Sequence, residues 1–274
     1  MSRRRDSAPH PDYWPRCFPV SPTTEIGSLP ETPPIVPFAR EQLGFFLDEH
    51  QAALLSCPGK RALLNCPRQW GKSSVAAVKA VHLAWFSPGS LVLAVGPSLR
   101  QSAELVLKVG SFLRVLGLNV PGNHGPSFRL KNGSRIVALP ANEATTRGFS
   151  SVDLLLIDEA ARVSDRLYRA LRPMLAHGCG GAGGDLWLMS TPFGKRGFFW
   201  NEWANAGDTW FRLAVPATEC PRFSPTFLQD ERRSAGERWF AQEFLCEFHD
   251  AEGALFREEL VRAAFRDDIR DLDL

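Results

Sequence analysis

No two of the six cysteines form a C-x-x-C pair; they are scattered at 17, 57, 66, 179, 220 and 246. That argues against a structural zinc site and against a secreted disulfide framework. No run approaches the roughly 20 apolar residues of a membrane span, and no apolar leader follows Met1. An excess of one charge is missing too. The 32 Lys and Arg against 30 Asp and Glu leave a net +2, so any nucleic-acid contact must come from local basic patches. A soluble, cytoplasmic protein with no membrane association is expected. Its 274 residues suit one large domain with appendages, and 44% hydrophobic content with eight Trp and 19 Phe supplies a core.

Residues 1–37 differ from the rest. Arg3-Arg4-Arg5 and the prolines at 9, 11, 15, 19, 22, 30, 33, 34 and 37 predict an extended arm without regular elements. The arginine triplet reads as part of a solvated tail, with nucleic-acid contact the alternative. Beyond it, strands and helices alternate. Asp48 caps a short helix to Leu55. Buried strands are expected at Arg61–Asn65, Ser90–Val95, Val152–Ile157, Asp185–Met189 and Trp210–Val215. Helices are expected from Ser74, over Ser98–Leu116 and over Leu167–Ala176. Asn132-Gly133 marks a hairpin between Ser127–Leu130 and Arg135–Leu139, and the glycines at 178, 180, 181, 183 and 184 a flexible loop. The alternation predicts an α/β fold, a mainly parallel sheet with helices on both faces.

One glycine is absent where chemistry would want it. Cys66-Pro67-Arg68-Gln69-Trp70-Gly71-Lys72-Ser73-Ser74 reads as a phosphate-binding loop, or Walker A motif, with Cys66 in the first Gly position. It lies between a buried strand and a helix. Backbone N–H groups from Gln69, Trp70 and Gly71 into Ser73 and Ser74 would face the anion, favoured by the helix dipole. Lys72 would reach the β- and γ-phosphates of ATP, and the Ser73 hydroxyl would ligate Mg²⁺. Leu154-Leu155-Leu156-Ile157-Asp158-Glu159 supplies the second part, a Walker B strand. Two carboxylates emerge at its carboxyl end, where sites in open α/β sheets collect. Asp158 would hold Mg²⁺ through water and Glu159 would act as general base. Ser190-Thr191-Pro192 ends the next core strand; it can sense the γ-phosphate or simply start a turn.

Together these phrases resemble the ATPase domain of the large terminase subunit of tailed phages, over roughly residues 38–260. Asp48-Glu49-His50-Gln51, Thr146-Arg147-Gly148, Ile157-Asp158-Glu159-Ala160-Ala161, Cys246-Glu247-Phe248 and Glu252-Gly253-Ala254-Leu255-Phe256 carry the likeness with the phosphate loop. The altered first glycine is typical of that family. The resemblance implies a RecA-like P-loop NTPase of the additional-strand, catalytic-glutamate type. It divides the chain into the arm (1–37), an ATPase domain (38–215) and a linker or lid subdomain with a tail (216–274).

The resemblance also implies residue roles. Gln51 would read adenine, and Arg68 would neutralise charge on the transferring phosphate. Arg147 would be offered to a neighbouring subunit of a ring, and Thr191 would couple hydrolysis to movement. The implied function is packaging of double-stranded DNA into a procapsid, with the portal protein and the terminase small subunit as partners. A helicase-like remodelling ATPase and a prophage remnant that only binds nucleotide are the alternatives. DNA contacts are expected at Arg129, Lys131 and Arg135, or at Lys195 and Arg196, unless these are ordinary solvated charges. The closing acids Asp267, Asp268, Asp271 and Asp273 read as a solvated end, so no nuclease activity is expected. Trp239, Phe240, Phe244, Leu245 and Phe248 have helical spacing that suits a small core.

Overall fold

The computed structural model describes residues 32–118, 127–146, 148–178, 183–250 and 264. The arginine triplet, the prolines before Pro33, Arg147, the glycines at 180 and 181, the Glu252–Phe256 phrase and the closing acids lie outside them. The described strands are β1 (Arg61–Asn65), β2 (Leu91–Gly96), β3 (Ser127–Arg129), β4 (Arg135–Pro140), β5 (Leu154–Asp158), β6 (Asp185–Ser190) and β7 (Phe211–Ala214). They form one sheet in the order β3-β4-β2-β5-β6-β1-β7. Every pairing is parallel except the β3–β4 hairpin.

Burial on both faces explains why the central strands read as continuous apolar runs. Along each strand, alternate residues point to opposite faces. Ala62, Leu64, Val92, Ala94, Leu154, Leu156, Trp187 and Met189 belong to one core. There they meet Val75, Val78 and Val81 of α3 (Lys72–Phe86) and Leu105, Val109 and Leu113 of α4 (Leu99–Val115). Leu63, Leu93, Leu155, Ile157, Leu186 and Leu188 belong to the other. That core is covered by Leu167, Tyr168 and Leu171 of α6 (Asp165–Leu171) and by Phe198 and Phe199 of α7 (Gly197–Asn205). The expected helices on both faces are therefore present. α2 (Glu49–Leu55) is capped by Asp48 as expected, and α5 (Glu143–Thr146) is a single turn after β4.

Two expected boundaries moved for reasons proline explains. A helix, α1 (Ile35–Glu41), begins inside the segment expected to be an irregular arm. Pro37 sits in its first turn, where an N–H has no intrahelical acceptor, so the proline costs nothing there. Conversely, α6 ends at Leu171 instead of running to Ala176, and Arg172–Leu175 tighten into a 3₁₀ turn. Pro173 lacks the N–H that would bond the carbonyl four residues back, and its ring crowds that carbonyl. The helix expected from Ser74 opens at Lys72.

α1 is fastened to α3 by His82, whose Nε2 lies 2.8 Å from the Pro33 carbonyl. Its ring packs against Phe38 and Phe86. Burial pushes the His82 pKa below the usual imidazole value. The unfolded chain therefore takes up this proton at a higher pH than the folded one. Stability is complete above the ordinary histidine pKa near 6.5 and declines as pH falls from there toward the lowered folded value. His82→Gln is expected to flatten that acid slope in denaturation midpoints between pH 7 and 5; an unchanged slope would assign it to other groups.

After β7, α8 (Pro225–Ala235) and α9 (Glu237–Glu243) carry a small core of their own, in which Ala217, Phe240 and Phe244 are buried with Phe223, Leu228 and Leu245 against them. The aromatic helix expected there is shorter than its spacing suggested. α9 stops at Glu243, so Phe248 swings away to pack on Phe199, Trp200 and Trp203, and Trp239 stays 45% exposed. The described chain from Pro33 onward packs as one compact unit.

Candidate active site

β1, β5 and β6 lie side by side and parallel, so their carboxyl ends open on the same edge. β6, inserted between the other two, is the additional strand. The phosphate loop leaves β1, Asp158 closes β5, and Ser190 closes β6. A cavity of about 300 Å³ at this edge is lined by Arg68, Gln69, Gly71, Lys72, Ser73, Ser74, Lys108, Asp158 and Glu159. All of these but Lys108, which arrives unannounced from α4, were singled out in the sequence.

The loop explains its own missing glycine. Its left-handed residues are Gln69 (φ 64°) and Gly71 (φ 104°), and Cys66 is not among them. A side chain is therefore tolerated at the first position, and the Cys66 thiol is fully buried in the core under the sheet. Burial pushes its pKa well above the usual thiol range, so it is an inert packing group. Gly71 is required twice over. Its φ suits glycine, and a Cβ would sit 2.9 Å from Nε2 of Gln51.

Lys72 is only 7% exposed. Its ammonium donates to the carbonyls of Cys66 (2.7 Å) and Pro67 (3.0 Å), so it lies folded over the loop. Ser73 Oγ donates to Asp158 Oδ2 at 3.4 Å. Burial raises the Asp158 pKa, and the Lys72 cation opposes that shift. The serine hydroxyl and the carboxylate form a pair of hard oxygen donors. No cluster of three or more His, Cys, Asp and Glu side chains exists among the described residues. Two protein oxygens beside a cavity fit Mg²⁺, which keeps waters and takes phosphate oxygens for its remaining positions.

Glu159 follows Asp158 in a left-handed conformation (φ 50°). Its Oε2 is buried without a hydrogen bond and faces Arg162 Nε at 3.6 Å. Ser190 Oγ accepts from Ala161 N at 3.2 Å, holding the turn that carries the glutamate. Thr191 lies beside that serine, 1% exposed, with a buried hydroxyl that makes no hydrogen bond.

Two of the sequence-derived ligands, Trp70 and Gln51, and the coupling residue Thr191 lie off the cavity lining. Trp70 is fully buried and does not line the cavity; its indole anchors the loop in the core. Gln51 is fully buried as well. Its Oε1 accepts from Asp48 N (3.2 Å), closing a capping box, and its Nε2 donates to the Trp70 carbonyl (3.1 Å). In this arrangement the amide braces the loop, and reading a base would require releasing one of those bonds. Thr191 is not among the cavity-lining residues.

Sequence reading also missed three charged residues. Arg162 pairs with Glu159 and, at 3.4 Å, with Glu243 of α9. Glu243 is 4% exposed and also faces Arg68 Nε at 3.4 Å. Arg222, after β7, donates to the Trp70 carbonyl (2.8 Å) and to Asp48 Oδ2 (2.9 Å). The one available signal was Glu243 itself, a carboxylate set among Trp239, Phe240 and Phe244; Arg162, between Ala161 and Val163, and Arg222, between Pro221 and Phe223, carry no spacing that names a partner.

A parallel α/β sheet with a phosphate loop on one strand, an Asp-Glu pair on another and a third strand inserted between them defines a P-loop nucleoside-triphosphatase fold of the additional-strand class. The family model for the N-terminal part of the T4-like-virus type of terminase large subunit matches residues 63–263. The chain belongs to that terminase family. It is similar in fold to the large terminase ATPase domain of Thermus phage P74-26, with a TM-score of 0.64 at 20% identity, covering 76% of this chain and 96% of that one. The large terminase of the thermophilic bacteriophage D6E, solved with ADP, matches with a TM-score of 0.63 at 13% identity over 74% of this chain. The bacteriophage HK97 large terminase matches at 0.64 and 17% identity over 80%. The chain spans 54% and 55% of those two proteins. No curated protein matches it in sequence.

Proposed function

We propose that this chain is the ATP-hydrolysing motor domain of a terminase large subunit, driving double-stranded DNA into a procapsid. The observation that carries the reading is the convergence of Lys72, Ser73, Asp158 and Glu159 on one cavity at the strand ends. Lys72 turns from the loop carbonyls to the β- and γ-phosphates, and the loop N–H groups hold the β-phosphate. Ser73 would hold Mg²⁺ directly and Asp158 through water, and the ion would supply positive charge against the phosphates. Glu159 accepts the proton of the attacking water, and ADP and phosphate leave. Arg68, 66% exposed at the cavity mouth, swings from Glu243 to the γ-phosphate. Arg147 serves the neighbouring subunit of a ring assembled on the portal protein, with the small subunit as a further partner. Thr191, beside the Ser190 that holds the Glu159 turn, passes the change along β6.

The hairpin is the better DNA contact. Arg129 and Arg135 stand directly opposite one another, both exposed, with Lys131 in the turn between them. Like charges across a strand pair are unfavourable without an anion, and no carboxylate among the described residues pairs with any of the three. Lys195, in contrast, is already paired with Asp250 at 3.6 Å. The test is ATP turnover by the purified chain with linear duplex DNA present; negligible turnover at high protein concentration would overturn the reading.

The Glu243 cluster makes a separate prediction. Glu243→Ala leaves Arg162 without one of its carboxylates inside a largely closed contact. Arg162 is 30% exposed, so the expected loss in urea denaturation is about 1–3 kcal/mol, below that of a fully buried pair. Glu243→Gln, which keeps an acceptor, should lose less. Equal losses for both variants would locate the effect in the charge alone.

A further inference from the structure

The phosphate loop is held from outside by a residue of the segment beyond the sheet. The guanidinium of Arg222 forks, with Nη1 donating to the Trp70 carbonyl at 2.8 Å and Nη2 to Asp48 Oδ2 at 2.9 Å. Nη1 also lies 3.4 Å from Cys220 Sγ, the thiol of its own turn. The Trp70 carbonyl receives a second donor, Gln51 Nε2, at 3.1 Å. Asp48 Oδ1 in turn accepts from Gln51 N at 2.8 Å. The result is a closed ring of hydrogen bonds through Arg222, Asp48, Gln51 and Trp70. It joins α2, the phosphate loop and the turn before α8.

What this ring fixes is one peptide plane. The Trp70 carbonyl and the Gly71 N–H belong to the same peptide unit, and no peptide bond in the described chain is cis. In a trans peptide those two groups point in opposite directions. Two donors clamping the carbonyl on one side therefore aim the Gly71 N–H to the other. Gly71 lines the phosphate cavity. Its N–H donates to no group among the described residues, so it stands ready for an outside acceptor. The left-handed φ of Gly71 would let this peptide flip at small cost in a free loop. The clamp is what selects one orientation.

We infer that Arg222 is a positioning residue for nucleotide binding, setting the Trp70–Gly71 peptide so that the Gly71 N–H meets the β-phosphate. This rests on the nucleotide-site reading above. Arg suits the task because its rigid planar fork reaches the carbonyl and the carboxylate with two separate nitrogens, whereas a lysine must serve both from one flexible nitrogen. Arg222→Lys is thus not conservative here.

The experiment is calorimetric titration of Mg-ADP into the full chain and its Arg222→Ala, Arg222→Lys and Asp48→Asn variants, with steady-state ATP turnover alongside. Arg222→Ala and Arg222→Lys are expected to bind ADP about tenfold and about fivefold more weakly, the value of one charge-assisted hydrogen bond. The KM for ATP should rise with them while kcat changes less than about twofold, since Arg222 touches neither the γ-phosphate nor the water. Asp48→Asn, which keeps the cap but loses the ion pair, should fall between the wild type and Arg222→Ala. A variant with a purely structural defect would instead show a lower melting point with unchanged ADP affinity at 20 °C, and that result overturns the assignment. Should Arg222→Ala not fold, Arg222→Lys decides by the same criterion. Wild-type protein that binds no ADP would overturn the nucleotide reading and this assignment together; wild-type binding matched by all three variants overturns the assignment alone.

Discussion

Glu159→Gln is expected to lower ATP turnover by about 10²–10⁴-fold, the usual contribution of a general base, while leaving ADP affinity within about threefold of wild type. Gln has the shape of Glu, so the turn is kept, but it cannot take the proton of an attacking water. Glu159 lines the phosphate cavity, where the proposed reading needs its base. Its Oε2 is buried and accepts no hydrogen bond, and the nearest cation, Arg162, stands at 3.6 Å. The chain holds it there against its own preference. A left-handed backbone at a residue other than glycine costs on the order of 1 kcal/mol or more. The following turn, tied by Ala161 N to Ser190 Oγ and by the fully buried Ala160, maintains it. Single-turnover hydrolysis with excess protein gives the clearest comparison. Turnover by Glu159→Gln within threefold of wild type would move the base to another residue.

Much of this site was legible because it is local in sequence. The loop from Cys66 to Ser74 and the Leu154–Glu159 strand each carry their chemistry within nine residues, and burial on both faces makes the supporting strands continuous apolar runs. β1 was legible to the residue. The order of strands was not, since nothing in the sequence says that β6 slips between β1 and β5. α1 was hidden because prolines that end helices elsewhere are harmless in a first turn. The partners of the site were hidden for a different reason. Arg222 lies 152 residues from the carbonyl it holds, and Arg162 lies 81 residues from Glu243. Pairings at such separations leave no periodicity to read. Gln51 was assigned to the nucleotide only through the family resemblance, and its amide is occupied by the loop.

Lys72→Ala is expected to remove nucleotide binding rather than chemistry, with ADP affinity falling by a hundredfold or more. Two charge-assisted hydrogen bonds to β-phosphate oxygens, the phosphate ADP shares with ATP, at about 1.5 kcal/mol or more each, amount to that factor. A second effect adds to it. Burial disfavours the ionised form of Asp158, and the Lys72 cation is the largest influence opposing it. Without Lys72 the carboxylate holds its proton to a higher pH, and a protonated carboxyl is a poor partner for Mg²⁺. The Mg²⁺ dependence of ADP binding should therefore weaken together with the affinity. The fold should lose some stability as well, because the freed carbonyls of Cys66 and Pro67 belong to buried residues, and an unpaired buried acceptor costs about 1–3 kcal/mol. Titration of ADP with and without Mg²⁺, set beside urea denaturation of the same samples, separates these outcomes. Retained ADP binding within threefold of wild type would show that the loop N–H groups alone hold the phosphates, and Lys72 would then be the structural clasp seen in its bonds to Cys66 and Pro67. Binding lost in Lys72→Ala and chemistry lost in Glu159→Gln would together divide the proposed reaction between two strands, with β1 and its loop holding the phosphates and β5 supplying the base.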